Sequence, residues 1–179
     1  VRRGLEKLII GATVTAVNVP YPKVITGDSQ AFVTGVMQST FTKIDRRGKY
    51  LLLRLSNQHT IVSHLRMEGQ YSVEPIGTTP YKHTEIIFEL ADDRALFYND
   101  TRRFGRMVLA TTGHESLVSP SLAKLGPEPT EADLTLPYMI NAFSKSKKPI
   151  KTFLLDQNQI AGIGNIYADE VLWLSLIHI

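Results

Sequence analysis

Apolar positions in this chain recur first at helical spacing, then in short runs, then at helical spacing again. Val1, Leu5, Leu8 and Ile9 fall on one face of a helix, and Gly11 stands where its C-terminal stop belongs. The pattern returns over 29–37, with Ser29 predicted as N-cap and Phe32, Val33, Val36 and Met37 as the buried stripe. Short strand-like runs follow at 50–55, 60–65, 71–73, 85–90, 95–98 and 107–110, broken by the polar turns Ser56-Asn57-Gln58 and Ala91-Asp92-Asp93. Such a succession predicts antiparallel sheets packed as a sandwich. After Thr111 the character changes, and Pro120, Gly126, Pro127 and Pro129 interrupt an acidic, loop-rich stretch. Helical segments are then predicted to begin at Pro137 (Met139, Ile140 and Phe143 inward), at Pro149 (Ile150, Phe153 and Leu154 inward) and at Asn165. The expected class is α+β, an N-terminal antiparallel β-sandwich flanked by helices and followed by the start of a helical domain. Its expected boundaries are 1–125 for the sandwich, 126–136 for a linker and 137–179 for the helices. No internal repeat is visible.

Composition narrows this only a little. The 179 residues are 43% hydrophobic, enough for one good core or for a domain and part of another. No apolar run approaches the roughly 20 residues of a membrane helix, and no leader pattern is present, so no membrane association is expected. With no cysteine there can be no disulfide or thiolate metal site within these residues, which fits a reducing compartment.

Net charge is only +3, but its distribution is uneven. The stretch 43–54 carries +4, 99–106 carries +2 and 145–151 carries +4, leaving −7 for everything else. One such run is usually a solvated face; three, each beside a glycine or proline turn, fit a discontinuous footprint for a polyanion. Gly162-Ile163-Gly164 runs directly into the helix at Asn165, so backbone N–H groups and the positive helix end could face an anion. Alone this is equally an ordinary inter-helix turn. The lysines just upstream, Lys145, Lys147, Lys148 and Lys151, make nucleic-acid phosphate the natural partner.

The ordered strings Asp45-Arg46-Arg47-Gly48-Lys49-Tyr50-Leu51, Ser63-His64-Leu65-Arg66-Met67-Glu68-Gly69, Lys82-His83, Asp100-Thr101-Arg102-Arg103-Phe104-Gly105, Leu125-Gly126-Pro127-Glu128-Pro129 and 162–170 resemble bacterial formamidopyrimidine-DNA glycosylases from end to end. The resemblance implies a monomeric, cytoplasmic base-excision repair enzyme acting on double-stranded DNA. It would remove oxidised purines such as 8-oxoguanine and formamidopyrimidines and nick the abasic strand by β,δ-elimination. The helical segment would open a helix-two-turn-helix domain.

An enzyme acting on a base within a duplex must extrude it, at a cost of about a few kcal/mol, and fill the void. By resemblance Met67, Arg102 and Phe104 fill it, with Phe104 as a wedge and Arg102 bonding the estranged base. Taken singly, Met67 and Phe104 fit core packing better. Lys49 read alone is a solvated hairpin lysine; the resemblance makes it a catalytic residue that contacts the lesion and assists proton transfer. The same comparison assigns phosphate contacts to His83, Lys147, Lys151, Gly164 and Asn165. Otherwise His83 is a loop or core histidine and Lys151 an exposed helix lysine.

The chain also departs from the family. The family's nucleophile is an N-terminal proline followed by an acid glutamate, in a leader that precedes the position of Val1, so the 179 residues are expected to bind DNA weakly and not to excise. The family's structural zinc belongs to a C-terminal four-cysteine finger, and none of these residues is expected to bind it. Glu85 stands where a second histidine is usual, which alters a local hydrogen bond, and the ending 176–179 is unusually apolar and reads as a truncated or misassembled frame. An endonuclease-eight-like glycosylase for oxidised pyrimidines and a non-catalytic DNA-binding module are the alternatives.

Overall fold

The computed structural model describes residues 1–177; the reading of the last two residues lies outside them. Two compact units are present, Val1–Ser119 and Pro120–Ile179.

The first unit opens with α1 (Arg2–Ile9) and β1 (Val14–Asn18), then α2 (Ser29–Val36). Seven strands follow: β2 (Phe41–Arg47), β3 (Tyr50–Leu55), β4 (His59–His64), β5 (Gln70–Pro75), β6 (Thr84–Leu90), β7 (Arg94–Asn99) and β8 (Arg106–Thr111), and then the short α3 (Glu115–Val118). All strand pairs are antiparallel, in two four-stranded sheets of order β1-β6-β7-β5 and β2-β3-β4-β8. Between them lies one apolar core that includes Ile9, Phe32, Phe41, Leu53, Ile61, Ile86, Phe88, Leu96 and Met107. Phe41 and Phe88, from opposite sheets, meet edge to face at 6.3 Å. The predicted class holds.

Local details differ from the periodicity. In α1 only Leu5 and Ile9 are buried, while Val1 and Leu8 are exposed. The cap of α2 is Asp28, not Ser29: its carboxylate accepts from the N–H groups of Gln30 and Ala31 at 2.8 and 3.3 Å. Met37 lies exposed beyond that helix. Strands β1 and β2 were not predicted. Each pairs through an irregular register, between Val14 and Ala16 and between Phe41 and Lys43. A bulge breaks the period-2 alternation by which a half-buried strand is recognised, and in β2 the buried Phe41 and Ile44 stand three apart.

The second unit contains α4 (Pro120–Ala123), α5 (Leu136–Ser144), α6 (Ile150–Leu155) and α7 (Asn165–Ser175). Its small core is Phe153, Leu154, Ile160, Ile163 and Ala168, with Leu134 and Met139 packed against it. Ile140, predicted inward, is exposed. The stretch 126–136, read as a linker, is bonded into this unit: the Gly126 N–H donates to Gln157 O and Pro127 O accepts from Ala161 N–H, both at 2.9 Å. No helix among the described residues is long and apolar enough to cross a membrane.

Candidate nucleic-acid interface

Strand register carries distant sequence motifs to one end of the first unit. Arg47 pairs Tyr50 across the Gly48-Lys49 turn, Tyr50 pairs His64, and His64 pairs Arg106. In the other sheet Asn99 pairs both Gln70 and Thr84. The 48–49 turn, the 65–69 loop, His83 and the 100–105 loop therefore leave their sheets at the same end.

Lys49 projects from a two-residue hairpin whose first residue, Gly48, has φ +54°, the conformation a tight hairpin needs there. Partial loss of water around its ammonium lowers its pKa from the ordinary lysine value. Neighbouring His64 packs edge to face on Tyr50 at 4.7 Å and accepts the Arg66 N–H at Nδ1, 3.0 Å away. Burial, with added repulsion from Arg66 and Lys49, pushes its pKa down to about 4, so His64 is neutral at physiological pH.

The 100–105 loop is built around one carboxylate. Buried Asp100 accepts from the N–H groups of Arg102, Phe104 and Gly105 at 3.0, 2.9 and 2.7 Å. This knot turns Arg102 and Phe104 outward: Phe104 is 50% exposed, and the Arg102 guanidinium lies 4.9 Å from the centre of its ring. Arg103, at φ +59°, stacks on Tyr21 at 4.4 Å. The 65–69 loop stands beside it, with Met67 71% exposed and Arg66 at φ +56°. Thr101 donates to the Glu68 carboxylate, joining the two loops. Beneath both is the buried Tyr98. A Cβ at Gly69 would lie 2.3 Å, and one at Gly105 1.8 Å, from its hydroxyl oxygen, so both glycines are required by close approach. Two residues in the left-handed region within these loops are backbone strain held in place by that packing. Exposure of Met67 and Phe104 excludes the core-packing alternative.

His83 is half-buried with Nδ1 unpartnered, and it lines a cavity of about 310 Å³ with Glu68, Tyr81, Asn99 and Thr101 among others. Asp100 was missed as a structural determinant by sequence reasoning. An acidic residue within a basic string was the available signal.

In the second unit, Lys147 is exposed on an open groove of about 830 Å³ that Lys145, Lys148, Tyr138 and Asn141 also line. The charge island is weaker than its sequence implies, because Lys148 pairs with Asp156 at 2.6 Å and Lys151 with Asp169 at 2.5 Å. Gly162 turns at φ +87°, whereas Gly164, at φ −114°, is extended and serves as N-cap of α7 without needing glycine's freedom. Asn165 is the exposed first residue of that helix. The turn is stapled by Gln157, which accepts from Gly162 N–H at 2.9 Å and donates to Leu155 O and Ile163 O at 3.0 and 2.8 Å.

Residues 1–107 match the formamidopyrimidine-DNA glycosylase N-terminal domain, and residues 125–179 match the formamidopyrimidine-DNA glycosylase H2TH domain. The chain belongs to the formamidopyrimidine-DNA glycosylase family. The formamidopyrimidine-DNA glycosylase of Lactiplantibacillus plantarum is 57% identical over 178 residues, covering 99% of this chain and 65% of that protein. The one from Ligilactobacillus salivarius is 49% identical, covering 99% and 64%. Among solved structures, Lactococcus lactis Fpg in complex with abasic-site DNA is 38% identical with a TM-score of 0.92, covering 99% of this chain and 65% of that one. The same enzyme with Fapy-dG DNA gives 38% and 0.92, covering 99% and 66%. The chain thus spans a little under two thirds of the length of these formamidopyrimidine-DNA glycosylases. The sequence has no cysteine, and among the described residues no group of three or more His, Asp or Glu could hold a metal ion.

Proposed function

We propose that this protein acts in base-excision repair on double-stranded DNA in the bacterial cytoplasm, as a glycosylase for oxidised purines such as 8-oxoguanine and formamidopyrimidines. On this reading it also works as a lyase that nicks the resulting abasic strand by β,δ-elimination. The observation that carries the proposal is the pair of joined loops presenting Met67, Arg102 and Phe104 outward on a buried scaffold. Large apolar side chains held out in water are unfavourable unless something covers them. A duplex with an extruded base offers a cavity of the right chemistry, apolar between base planes and polar at the orphaned partner's edge. Phe104 enters as the wedge, Met67 fills the space left by the extruded nucleotide, and the flat Arg102 fork donates to the estranged base. Apolar area buried by Met67 and Phe104 offsets part of an unstacking cost of about a few kcal/mol.

Lys49 then serves as the proton-transfer residue. Its lowered pKa brings the neutral amine closer to physiological pH, which suits an ammonium that must both donate and accept protons during base loss and elimination. Neutral His64 beside it adds no competing charge. His83, Lys147, Lys151, Gly164 and Asn165 contact backbone phosphates; for Lys151 this requires sharing or releasing Asp169. The DNA-bound Lactococcus lactis structures support the partner, since their abasic and Fapy-dG duplexes are what that enzyme engages.

The test is fluorescence anisotropy on an 8-oxoguanine duplex and its undamaged counterpart, with borohydride trapping, using these 179 residues and a form extended at both ends. Lesion-selective binding that weakens with salt, together with trapping of the extended form, is expected. Equal affinity for both duplexes and no trapping by either form would leave a non-catalytic DNA-binding module.

A further inference from the structure

The carboxylate of Asp100 is not alone beneath the 100–105 loop. Glu85 sits at the irregular register step between Thr84 and Ile86 in β6 and is 1% exposed. An extra residue in a strand turns its side chain off the regular alternation. Here the bulge sends a carboxyl into the interior, where neither oxygen has a hydrogen-bond partner among the described residues. The charged and titratable groups acting on it belong to the loop or its support. Tyr98 comes from the end of β7, Asp100 and Arg103 from the loop itself and Arg106 from the start of β8. Tyr98 is the ring on which Gly69 and Gly105 close, it is also unpartnered at its hydroxyl, and Tyr71 of β5 packs on it at 5.1 Å.

Two buried carboxyls facing one another do not both ionise readily. Asp100 has three N–H donors aimed at it, whereas Glu85 has none. The proton therefore resides on Glu85. Burial first and Asp100 second push its pKa up to about 7, against the opposing pull of Arg103 and Arg106.

We propose that Glu85 is a positioning residue for the Arg102–Phe104 loop: its proton keeps a second negative charge away from Asp100, so the loop's backbone hydrogen bonds, and hence its grip on a lesion duplex, depend on Glu85 being neutral. This rests on the reading of that loop as the duplex-engaging element. When Glu85 ionises, repulsion falls on the one carboxylate that shapes the loop, and Arg103 is drawn toward the interior and off Tyr21. Glutamine at this position keeps the neutral shape without the titration.

The test combines a DNA-free and a DNA-bound readout between pH 5.5 and 8.5. In the free protein, the Glu85 side-chain carboxyl ¹³C signal and the Phe104 and Gly105 amide signals are followed by NMR. They are expected to share one midpoint near 7, and the amide titration is expected to vanish in Glu85→Gln. Affinity for a duplex with a tetrahydrofuran abasic analogue is expected to weaken about tenfold from pH 6 to 8 in the native protein, relative to Glu85→Gln. Amides that ignore the Glu85 midpoint in the native protein overturn the inference, a result that needs no variant to fold. If the amides follow Glu85 but lesion DNA is not preferred at any pH, the functional reading fails and the positioning role stands.

Discussion

Gly105→Ala tests most directly the close packing that holds the 65–69 and 100–105 loops. The new Cβ would lie 1.8 Å from the Tyr98 hydroxyl oxygen, 2.8 Å from its Cζ and 3.2 Å from an Asp100 carboxylate oxygen. Tyr98 is fully buried and cannot swing aside, so the loop must rise by more than an ångström and stretch its bonds to Asp100. Overpacking of this kind costs about 1–3 kcal/mol, and the upper end is expected here, equivalent to roughly 10 °C in Tm for a unit of this size. The unpartnered hydroxyl makes the second half of the argument. Tyr98→Phe removes a buried group with no hydrogen bond, so that single change should be neutral or slightly stabilising. It also removes the nearest clash, and Gly105→Ala/Tyr98→Phe should recover about half of the lost stability, the Cζ contact remaining. Gly69→Ala behaves differently. Its Cβ meets Tyr98 at 2.3 Å but also the Leu65 carbonyl oxygen at 2.6 Å, and backbone does not yield. Tyr98→Phe should therefore fail to rescue it. Urea unfolding and lesion-duplex affinity of the five variants measure this cycle. Equal rescue of both alanine variants, or a fully stable Gly105→Ala, would refute the packing argument.

Three further outcomes are expected. Gln157→Leu leaves the Gly162 N–H and two carbonyls without their partner and should destabilise the second unit by about 2–3 kcal/mol, with faster hydrogen exchange at Gly162 as the specific sign. Lys49→Arg keeps the charge but cannot release its proton near neutrality, so DNA affinity should change little while single-turnover strand cleavage by the extended enzyme falls roughly 100-fold; equal losses would reduce Lys49 to a phosphate contact. The pKa of His64 is depressed, so the stability from its neutral form is present above the ordinary value of 6.5 and is lost as pH falls toward about 4. Replacing it with glutamine should flatten thermal stability across that window, and an unchanged acid limb would show that His64 is not the titrating group.

Much of this organisation is legible in the residues alone. Strand β3 reads as a short, largely apolar run, Gly48 marks the tight turn before it, and Asn165 marks the start of α7 after two glycines. These features are local: each depends on a few consecutive residues and on backbone preferences that act wherever the segment is placed. The order of the motifs identified the family for the same reason, since it too is a property of the line. What the line could not carry is everything that requires the chain to return on itself. Strands β1 and β2 escaped notice because bulges, defined only against their partners, hide their alternation. Leu8 and Ile140 belong to helical stripes wider than the surface available to cover them, so they lie outside. The pairing of Lys148 and Lys151 with Asp156 and Asp169 thins a basic island that is four charges strong on paper. Sequence determined which residues stand in the exposed loops and basic islands and roughly where each element begins. The tertiary structure alone decided that Asp100 would knot the loop, that Tyr98 would support two loops at once, and that Glu85 would be buried beside another carboxyl. Burial, desolvation and hydrogen-bond closure depend on what arrives from far along the chain.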